Sequence, residues 1–183
     1  GDAFDDANLK RLYDTTVDVV LTDPPYGIDL DTDYSAMSGA KTKVIMAGNQ
    51  SGTYRRVEND DEPFDATVLR MFFASVNEQF WFGGDYYRRT LSASDLDGSY
   101  LVWDKRNEAS DAGYGSGFEL IWSAVPHKRD LLRQYFFGAF GVEGANRMHP
   151  TQKPTPLLEI ILTRWTTDDC RVADPFGGSG STL

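Results

Sequence analysis

Two turns in this sequence carry polar or ligand-binding groups, and each follows a short apolar run. The first turn consists of Asp23, Pro24, Pro25, Tyr26 and Gly27. Its prolines stiffen the backbone and leave carbonyl oxygens without nearby amide donors, while Asp23 adds a carboxylate and Tyr26 a flat ring. Two acceptors beside a stacking ring suit a planar amino group that is held in the plane of its base. An ordinary Pro-Pro turn that ends a strand is the structural alternative.

The second turn follows Asp174 and is rich in glycine, with Gly177, Gly178 and Gly180. Glycine lets a ligand approach the backbone closely and exposes amide donors, as at nucleotide-binding sites. The turn is not a Walker loop, because the Gly-Lys-Ser/Thr sequence of that phosphate-binding motif is missing. A flexible glycine-rich segment is the alternative explanation for this composition.

Short runs of apolar and β-branched residues predict the strands that carry these turns. We place strands at residues 17–22, 79–82, 100–103, 118–122, 133–137 and 171–173. Apolar residues at helical spacing predict helices at residues 8–13, 63–76, 85–93 and 155–165. Strands that alternate with helices indicate an α/β domain with a largely parallel, doubly wound sheet. Because ligands bind beyond the carboxyl ends of such strands, we expect both turns at one edge of the sheet.

The composition is that of a globular domain with an uneven charge. The chain has 183 residues, 40% hydrophobic and 25% charged, which excludes fibrous and low-complexity proteins. Asp and Glu outnumber Lys and Arg by 28 to 18, and the net charge of −10 by itself argues against a nucleic-acid partner. However, residues 1–65 hold 14 acidic and 6 basic side chains, whereas residues 127–164 hold 3 acidic and 6 basic ones. The second segment is therefore a candidate phosphate-contacting surface.

The cysteine count and the lengths of the apolar runs indicate the cellular compartment of the protein. A single cysteine, Cys170, cannot form a disulfide within the chain or a cysteine-rich zinc site, so we expect a reducing compartment. We predict no metal site. No stretch approaches 18 apolar residues and no signal peptide is visible, which predicts a cytoplasmic protein without a membrane partner.

Three blocks of the sequence carry a resemblance to a known family. They are Thr-Asp-Pro-Pro-Tyr-Gly at 22–27, His-Pro-Thr-Gln-Lys-Pro at 149–154, and Ala-Asp-Pro-Phe-Gly-Gly-Ser-Gly-Ser-Thr-Leu at 173–183. They resemble the amino-methyltransferases of DNA, which methylate the exocyclic nitrogen of adenine or cytosine with S-adenosylmethionine. The catalytic block precedes the cofactor block, as in the circularly permuted β group. Weaker likenesses at 82–85, 102–105 and 118–123 extend the resemblance over nearly the whole chain.

This resemblance implies a Rossmann-like methyltransferase fold that is circularly permuted. The target base would be flipped out of the DNA and would stack on Tyr26. Asp23 and the Pro24 carbonyl would accept hydrogen bonds from its amino group, and the catalytic set would be Asp23, Pro24, Pro25 and Tyr26. Binding of S-adenosylmethionine would fall to Asp2, Asp23, His149, Thr151, Lys153, Asp174, Phe176, Gly177, Gly178 and Gly180. Thr151 and Lys153 are the candidates for its methionine carboxylate, with a solvated Lys153 and a loop-capping His149 as structural alternatives.

The chain departs from the family pattern in two places. In the family, the chain continues past the glycine turn into a helix and a strand whose acidic residue holds the cofactor ribose. The present sequence ends at Leu183, directly after the turn, and contains neither element. We therefore expect residues 1–183 to form a single catalytic domain, incomplete at both ends and C-terminally truncated, that binds S-adenosylmethionine poorly by itself. Residues 124–148 would form a very short target-recognition insert, which predicts low sequence specificity, a separate specificity module or a homodimer.

The substrate follows from the basic residues and from the catalytic block. Contacts with DNA phosphates would fall to Lys128, Arg129, Arg133 and Arg147, with Lys105 and Arg106 in support, and a solvated surface of mixed charge is the alternative. Asp at the head of the block favours adenine N6, because cytosine-N4 relatives more often carry Ser there. The alternatives are methylation of cytosine N4 and a truncated, inactive fragment that binds DNA. Methylation of RNA or of protein glutamine is a third alternative, but enzymes of those kinds commonly carry Asn in place of Asp23 and have the unpermuted order of blocks.

Overall fold

The computed structural model describes residues 5–13, 16–32, 56–90, 98–106, 116–135, 151–178 and 180–182. Within these ranges the helices are α1 (Asp6–Tyr13), α2 (Thr67–Phe72) and α3 (Thr155–Trp165). The strands are β1 (Val19–Thr22), β2 (Glu78–Phe82), β3 (Ser99–Asp104), β4 (Phe118–Ser123), β5 (Leu131–Arg133) and β6 (Val172–Ala173). None of the helices in these ranges is long and apolar enough to cross a membrane.

The six described strands form one sheet in the order β5-β3-β4-β2-β1-β6. Strand β1 pairs in parallel with β2 and β6, and β3 pairs in parallel with β5. Strand β4 runs antiparallel to both of its neighbours, β2 and β3. Every described strand except β4 therefore points the same way, which confirms the prediction of a largely parallel sheet. The side of the sheet where those strands end is called the carboxyl edge below.

Apolar layers cover both faces of the sheet, as in a doubly wound α/β fold. On one face Leu21 of β1 belongs to the same buried cluster as Leu157 and Ile161 of α3. On the other face Val20 of β1 belongs to a cluster with Leu69 of α2. Consecutive residues of β1 thus face opposite layers, and because both layers are apolar the strand is a continuous apolar run.

The helix predicted from Pro63 begins later, at Thr67, and ends at Phe72. Phe64 explains the difference, because its ring is buried and packs edge to face on Tyr87 instead of lying on a helix face. The Asp65 carboxylate accepts the backbone N–H of Thr67 at 2.9 Å and closes the turn before the helix. The prediction of helix is therefore wrong at 63–66, and also at 73–76, where the chain has already left the helix.

Two further predicted elements need correction. Of the helix predicted at 85–93, residues 85–90 form turns, because the buried Tyr87 donates its hydroxyl hydrogen to the carbonyl of Phe82 at 2.8 Å and ties the chain back to β2. Residues 91–93 lie outside the described residues. The strand predicted at 133–137 lies at Leu131–Arg133, where pairing with β3 sets its register and places Val102 opposite Leu131. Within the predicted insert at 124–148, the described residues 124–135 contribute this strand to the sheet.

Candidate active site

The two turns singled out by their composition lie side by side. Strands β1 and β6 are parallel neighbours, so the turns that follow them leave the sheet at adjacent points of the carboxyl edge. A hydrogen bond joins the two places, from the Thr22 hydroxyl to Asp174 Oδ1 at 2.9 Å. The prediction that both turns share one edge is confirmed.

A carboxylate that the sequence analysis missed holds the first turn. Asp60 is 4% exposed, and it accepts four backbone N–H groups, those of Tyr26, Gly27 and Leu30 at 2.9, 2.8 and 2.8 Å and that of Ile28 at 3.5 Å. Gly27 adopts φ +68°, and a Cβ atom there would lie 2.5 Å from a backbone carbonyl oxygen, so only glycine fits. No local signal distinguishes Asp60 from its exposed neighbour Asp61.

Tyr26 points its hydroxyl into a group of charged side chains. The hydroxyl lies 2.8 Å from Asp23 Oδ1 and also contacts Glu119 Oε1. Burial, and then the two carboxylates, raise the pKa of Tyr26 well above its usual value, so the phenol stays protonated and donates a hydrogen bond. We call this group the charged cluster; its members are Asp23, Tyr26, Lys105, Glu119 and Lys153.

Lys153 lies at the centre of the charged cluster. Its ammonium nitrogen is 2.8 Å from Asp23 Oδ2, 3.0 Å from Glu119 Oε1 and 3.1 Å from the Tyr26 hydroxyl oxygen. An ammonium has three N–H donors, and here each has a partner within reach. The contact between Lys153 and a methionine carboxylate, which the family resemblance implies, would have to replace one of these partners and stays a prediction.

The charged cluster balances two carboxylates with two ammonium groups, because Lys105 Nζ lies 2.6 Å from Glu119 Oε2. Burial alone would raise the pKa of Glu119, but Lys153 and Lys105 lower it to about 2. Burial alone would lower the pKa of Lys153, but Asp23 and Glu119 raise it. For Asp23, burial outweighs the attraction of Lys153 and raises the pKa. Asp23 is therefore the carboxylate that takes up a proton more easily.

The ring of Tyr26 already has an aromatic partner. It stacks on the ring of Tyr86, with 4.7 Å between ring centroids and 10° between ring planes. Gly83 adopts φ +66° and touches the Tyr26 ring, since a Cβ atom there would lie 2.3 Å from Tyr26 Cε1. Tyr26 is held at its hydroxyl by the charged cluster and at its backbone by Asp60, whereas Tyr86 is 47% exposed.

Asp174 organises the turn after β6. Its Oδ1 accepts the backbone N–H of Phe176 at 3.1 Å, and its Oδ2 accepts the hydroxyl of Thr182 at 2.6 Å. Burial raises the pKa of Asp174, and these hydrogen bonds act against the rise. Gly178 has φ +48°, and a Cβ atom on Gly177 would meet no described atom closer than 3.7 Å. The backbone at these glycines is therefore open to a ligand.

Both turns and the charged cluster line one cleft of about 1860 Å³. Small-molecule pockets typically measure roughly 300–1,000 Å³, so this cleft has room for a cofactor beside a base. The predicted site residues that line it are Asp23, Pro24, Pro25, Tyr26, Thr151, Lys153, Asp174, Phe176, Gly177, Gly178 and Gly180. The predicted cofactor residues Asp2 and His149 lie outside the described residues.

The structure separates the candidate phosphate contacts. Arg133 is the last residue of β5, at the carboxyl edge, and its side chain is 77% exposed. Lys128 and Arg129 are exposed but precede β5, so they lie beyond its amino end. Arg147 lies outside the described residues. Among the described candidates on and before β5, Arg133 is the one on the side of the cleft.

Sequence comparisons point to one family. The family model of N6/N4 methyltransferases, described as DNA methylase, matches residues 42–183. The "Putative methylase YubD" of Escherichia coli (strain K12) is 27% identical over 168 residues, which cover 91% of this chain and 69% of that protein. The "Type II methyltransferase M2.MboI" of Moraxella bovis is 24% identical over 210 residues, which cover 95% of this chain and 73% of that protein.

A solved structure has a similar fold. The "crystal structure of M1.HpyAVI-SAM complex" matches 100% of this chain and 82% of its own chain, with a TM-score of 0.53 and 18% identity. The likeness agrees with the predicted Rossmann-like methyltransferase fold. Since the family model covers most of the sequence, including Lys153 and the glycine turn after β6, this chain belongs to the N6/N4 family of DNA methylases.

Proposed function

We propose that this chain transfers a methyl group to the exocyclic N6 of adenine in DNA, on a base flipped out of the helix. The observation that carries the proposal is the position of the first turn, because Asp23, Pro24 and Tyr26 line the cleft together and the Asp23 carboxylate lies 2.8 Å from the Tyr26 hydroxyl. Family membership supports an exocyclic amino group as the target. Asp at position 23 favours adenine over cytosine, because the cytosine relatives more often carry Ser there.

Asp23 keeps the capacity to accept a hydrogen bond from an amino group. Its Oδ1 contacts Tyr26 and its Oδ2 contacts Lys153, but each oxygen of a carboxylate offers about two acceptor sites. Accepting the amino hydrogen moves electron density onto the nitrogen that attacks the methyl carbon. Because two partners fix the carboxylate, it holds the amino group in one orientation, and orientation supplies a large part of the rate in such transfers.

The proposed cofactor is S-adenosylmethionine, which the M1.HpyAVI complex contains. When bound, it supplies an electrophilic methyl group on a sulfonium. The turn after β6 fits such a ligand, because the backbone at Gly177 is open and Gly178 adopts a conformation that favours glycine. The other residues proposed to hold it are Asp174, Phe176, Gly180 and Thr151, which line the same cleft.

Tyr86 controls one route to Tyr26. A base that stacks on the face of Tyr26 covered by Tyr86 must take the place of the Tyr86 ring, because centroids 4.7 Å apart leave no room for a third ring. Tyr86 is nearly half exposed and lines the cleft, so its ring has space to turn towards solvent. Entry of the base would therefore exchange one stacked ring for another.

Arg133 is the proposed phosphate contact, because it lies at the carboxyl edge with the cleft. Lys105 contributes less, since Glu119 holds its ammonium group. We expect Arg133→Glu to weaken DNA binding and to reduce the slope of log affinity against log salt by about 0.9. Arg129→Glu makes the same charge change beyond the other end of β5 and is the matched control. Equal losses in both variants would contradict DNA binding at the carboxyl edge.

Identification of the methylated nucleoside tests the proposed function. Unmethylated genomic DNA is incubated with the protein and S-adenosylmethionine, digested to nucleosides, and analysed by mass spectrometry. We expect N6-methyldeoxyadenosine, and we expect Asp23→Ala to lose it. N4-methyldeoxycytidine would assign the target to cytosine. Absence of any methylated nucleoside would favour the alternative of an inactive fragment that binds DNA.

A further inference from the structure

Glu119 is the one member of the charged cluster that the sequence did not single out as a site residue. It is the second residue of β4, the reversed strand of the sheet, and it is 9% exposed. We propose that Glu119 is a positioning residue, which holds Lys153 and Tyr26 against Asp23 and so sets the orientation and charge of the catalytic carboxylate. This inference rests on the proposed function of Asp23.

A carboxylate at this depth needs partners. Burial of an unpaired carboxylate is costly, and its usual outcome is protonation. Glu119 avoids that outcome because its two oxygens contact ammonium groups from two other parts of the chain. Oε1 lies 3.0 Å from Lys153 Nζ, and Oε2 lies 2.6 Å from Lys105 Nζ. The side chain thus assembles the cluster from β4, from the segment after β3 and from the segment before α3.

Two bridges connect Glu119 to Asp23. The ammonium of Lys153 contacts both carboxylates, at 2.8 Å from Asp23 Oδ2 and 3.0 Å from Glu119 Oε1. The hydroxyl of Tyr26 also contacts both. Glu119 therefore competes with Asp23 for the same two donors. If its charge is removed, both donors act more strongly on Asp23, and repulsion between the two carboxylates ends.

The sheet positions the contact between Glu119 and Lys105. Glu119 is paired with Trp103 in the ladder between β4 and β3, and Lys105 follows that strand directly. The backbone N–H of Lys105 donates to the carbonyl of Gly117 at 3.0 Å, and its ammonium lies 4.7 Å from the centre of the Trp103 ring. Glu119 thus lies within β4 and Lys105 directly follows the neighbouring strand, so the pairing of β3 with β4 positions their contact.

Three other titratable groups near the cluster, Asp174, Asp85 and the buried Tyr87, are not altered by the substitutions of Glu119. Asp174, in the turn after β6, interacts electrostatically with Lys153. Burial raises the pKa of Tyr86, and the charge of Asp85, in the turn after β2, raises it further. A change in the titration of Asp23 on replacement of Glu119 would therefore report the loss of this carboxylate.

Glu119→Gln tests the proposal, because it keeps an acceptor for Lys153 and Tyr26 but turns an amide donor towards Lys105. In the pH profile of kcat, we expect the acidic limb to move to lower pH by about half a unit to one unit. We also expect kcat to fall by about tenfold with little change in KM for DNA, since the base contacts remain. Glu119→Asp keeps the charge and should restore the wild-type limb. Glu159→Gln, on the exposed side of α3, is the matched control.

A second measurement separates this proposal from the proposed function. The ¹³C carboxyl signal of Asp23 is titrated in the protein without DNA. In Glu119→Gln we expect its midpoint to fall, and in Lys105→Met we expect it to rise, because Glu119 then draws Lys153 more strongly. These shifts would support the positioning role even if no methylated nucleoside forms. Unchanged midpoints in folded variants would overturn it, and Lys105→Met alone decides the matter if Glu119→Gln does not fold.

Discussion

Replacement of Asp60 by alanine should loosen the turn after β1 that carries Asp23 and Tyr26. Asp60 is not itself proposed to contact the base, but its carboxylate accepts the backbone N–H groups of Tyr26, Gly27 and Leu30 at 2.8 to 2.9 Å. Without that carboxylate, the backbone N–H groups of Tyr26, Gly27 and Leu30 lose their acceptor, and the turn that carries Asp23 is less firmly held. We therefore expect both stability and turnover to fall.

The expected size follows from the three shorter hydrogen bonds, those of Tyr26, Gly27 and Leu30. A donor left unpaired in a buried place costs about 1–3 kcal/mol. The three donors belong to half-buried residues, so water can replace part of each bond, and the lower figure applies. The expected loss is about 3 kcal/mol, a large part of the roughly 5–15 kcal/mol that stabilises a typical domain. Asp60→Asn keeps one acceptor oxygen and should lose about half as much.

Urea unfolding and steady-state methylation measure the two effects. Asp61→Ala is the matched control, because it removes a carboxylate from the exposed neighbouring residue. We expect Asp60→Ala to unfold at lower urea than Asp61→Ala and, where it remains folded, to show a lower kcat. If the two variants have the same free energy of unfolding and the same kcat, the role assigned to Asp60 is refuted.

Three further predictions concern Gly83, Tyr86 and Glu119. Gly83→Ala should lower kcat sharply, because the new Cβ atom would lie 2.3 Å from the Tyr26 ring, and unchanged kinetics would contradict the observed contact. Tyr86→Ala should bind DNA with an unpaired target adenine more tightly than wild type in a fluorescence titration, whereas Tyr86→Phe keeps a stacking ring and should match wild type. Glu119, with its pKa lowered from 4.5 to about 2, contributes stability above pH 4.5 that is lost as the pH falls towards 2. Acid unfolding followed by circular dichroism should therefore be steeper in wild type than in Glu119→Gln, and parallel curves would argue against that charge.

Local patterns were sufficient for most of the elements. Strands β1 to β4 lie within two residues of their predicted bounds, because runs of β-branched and aromatic residues favour strands wherever both faces are covered. The observed bounds of α3 agree with the predicted ones, because its start at Pro156 and its apolar stripe are both local features of the sequence. The errors arose where tertiary contacts override spacing. Phe64 turns into the core instead of starting a helix, and Tyr87 ties residues 85–90 into turns through the Phe82 carbonyl.

The sequence by itself determined the chemistry of the two turns and the family, because Asp23, Tyr26 and the glycines act as short blocks whose order needs no tertiary information. Only the tertiary structure decided what holds those blocks in place. Asp60 reaches the turn across 34 positions of sequence, Glu119 reaches Tyr26 across 93, and Lys153 reaches it across 127. No local pattern encodes such partners, since the order of strands in the sheet is what brings them together.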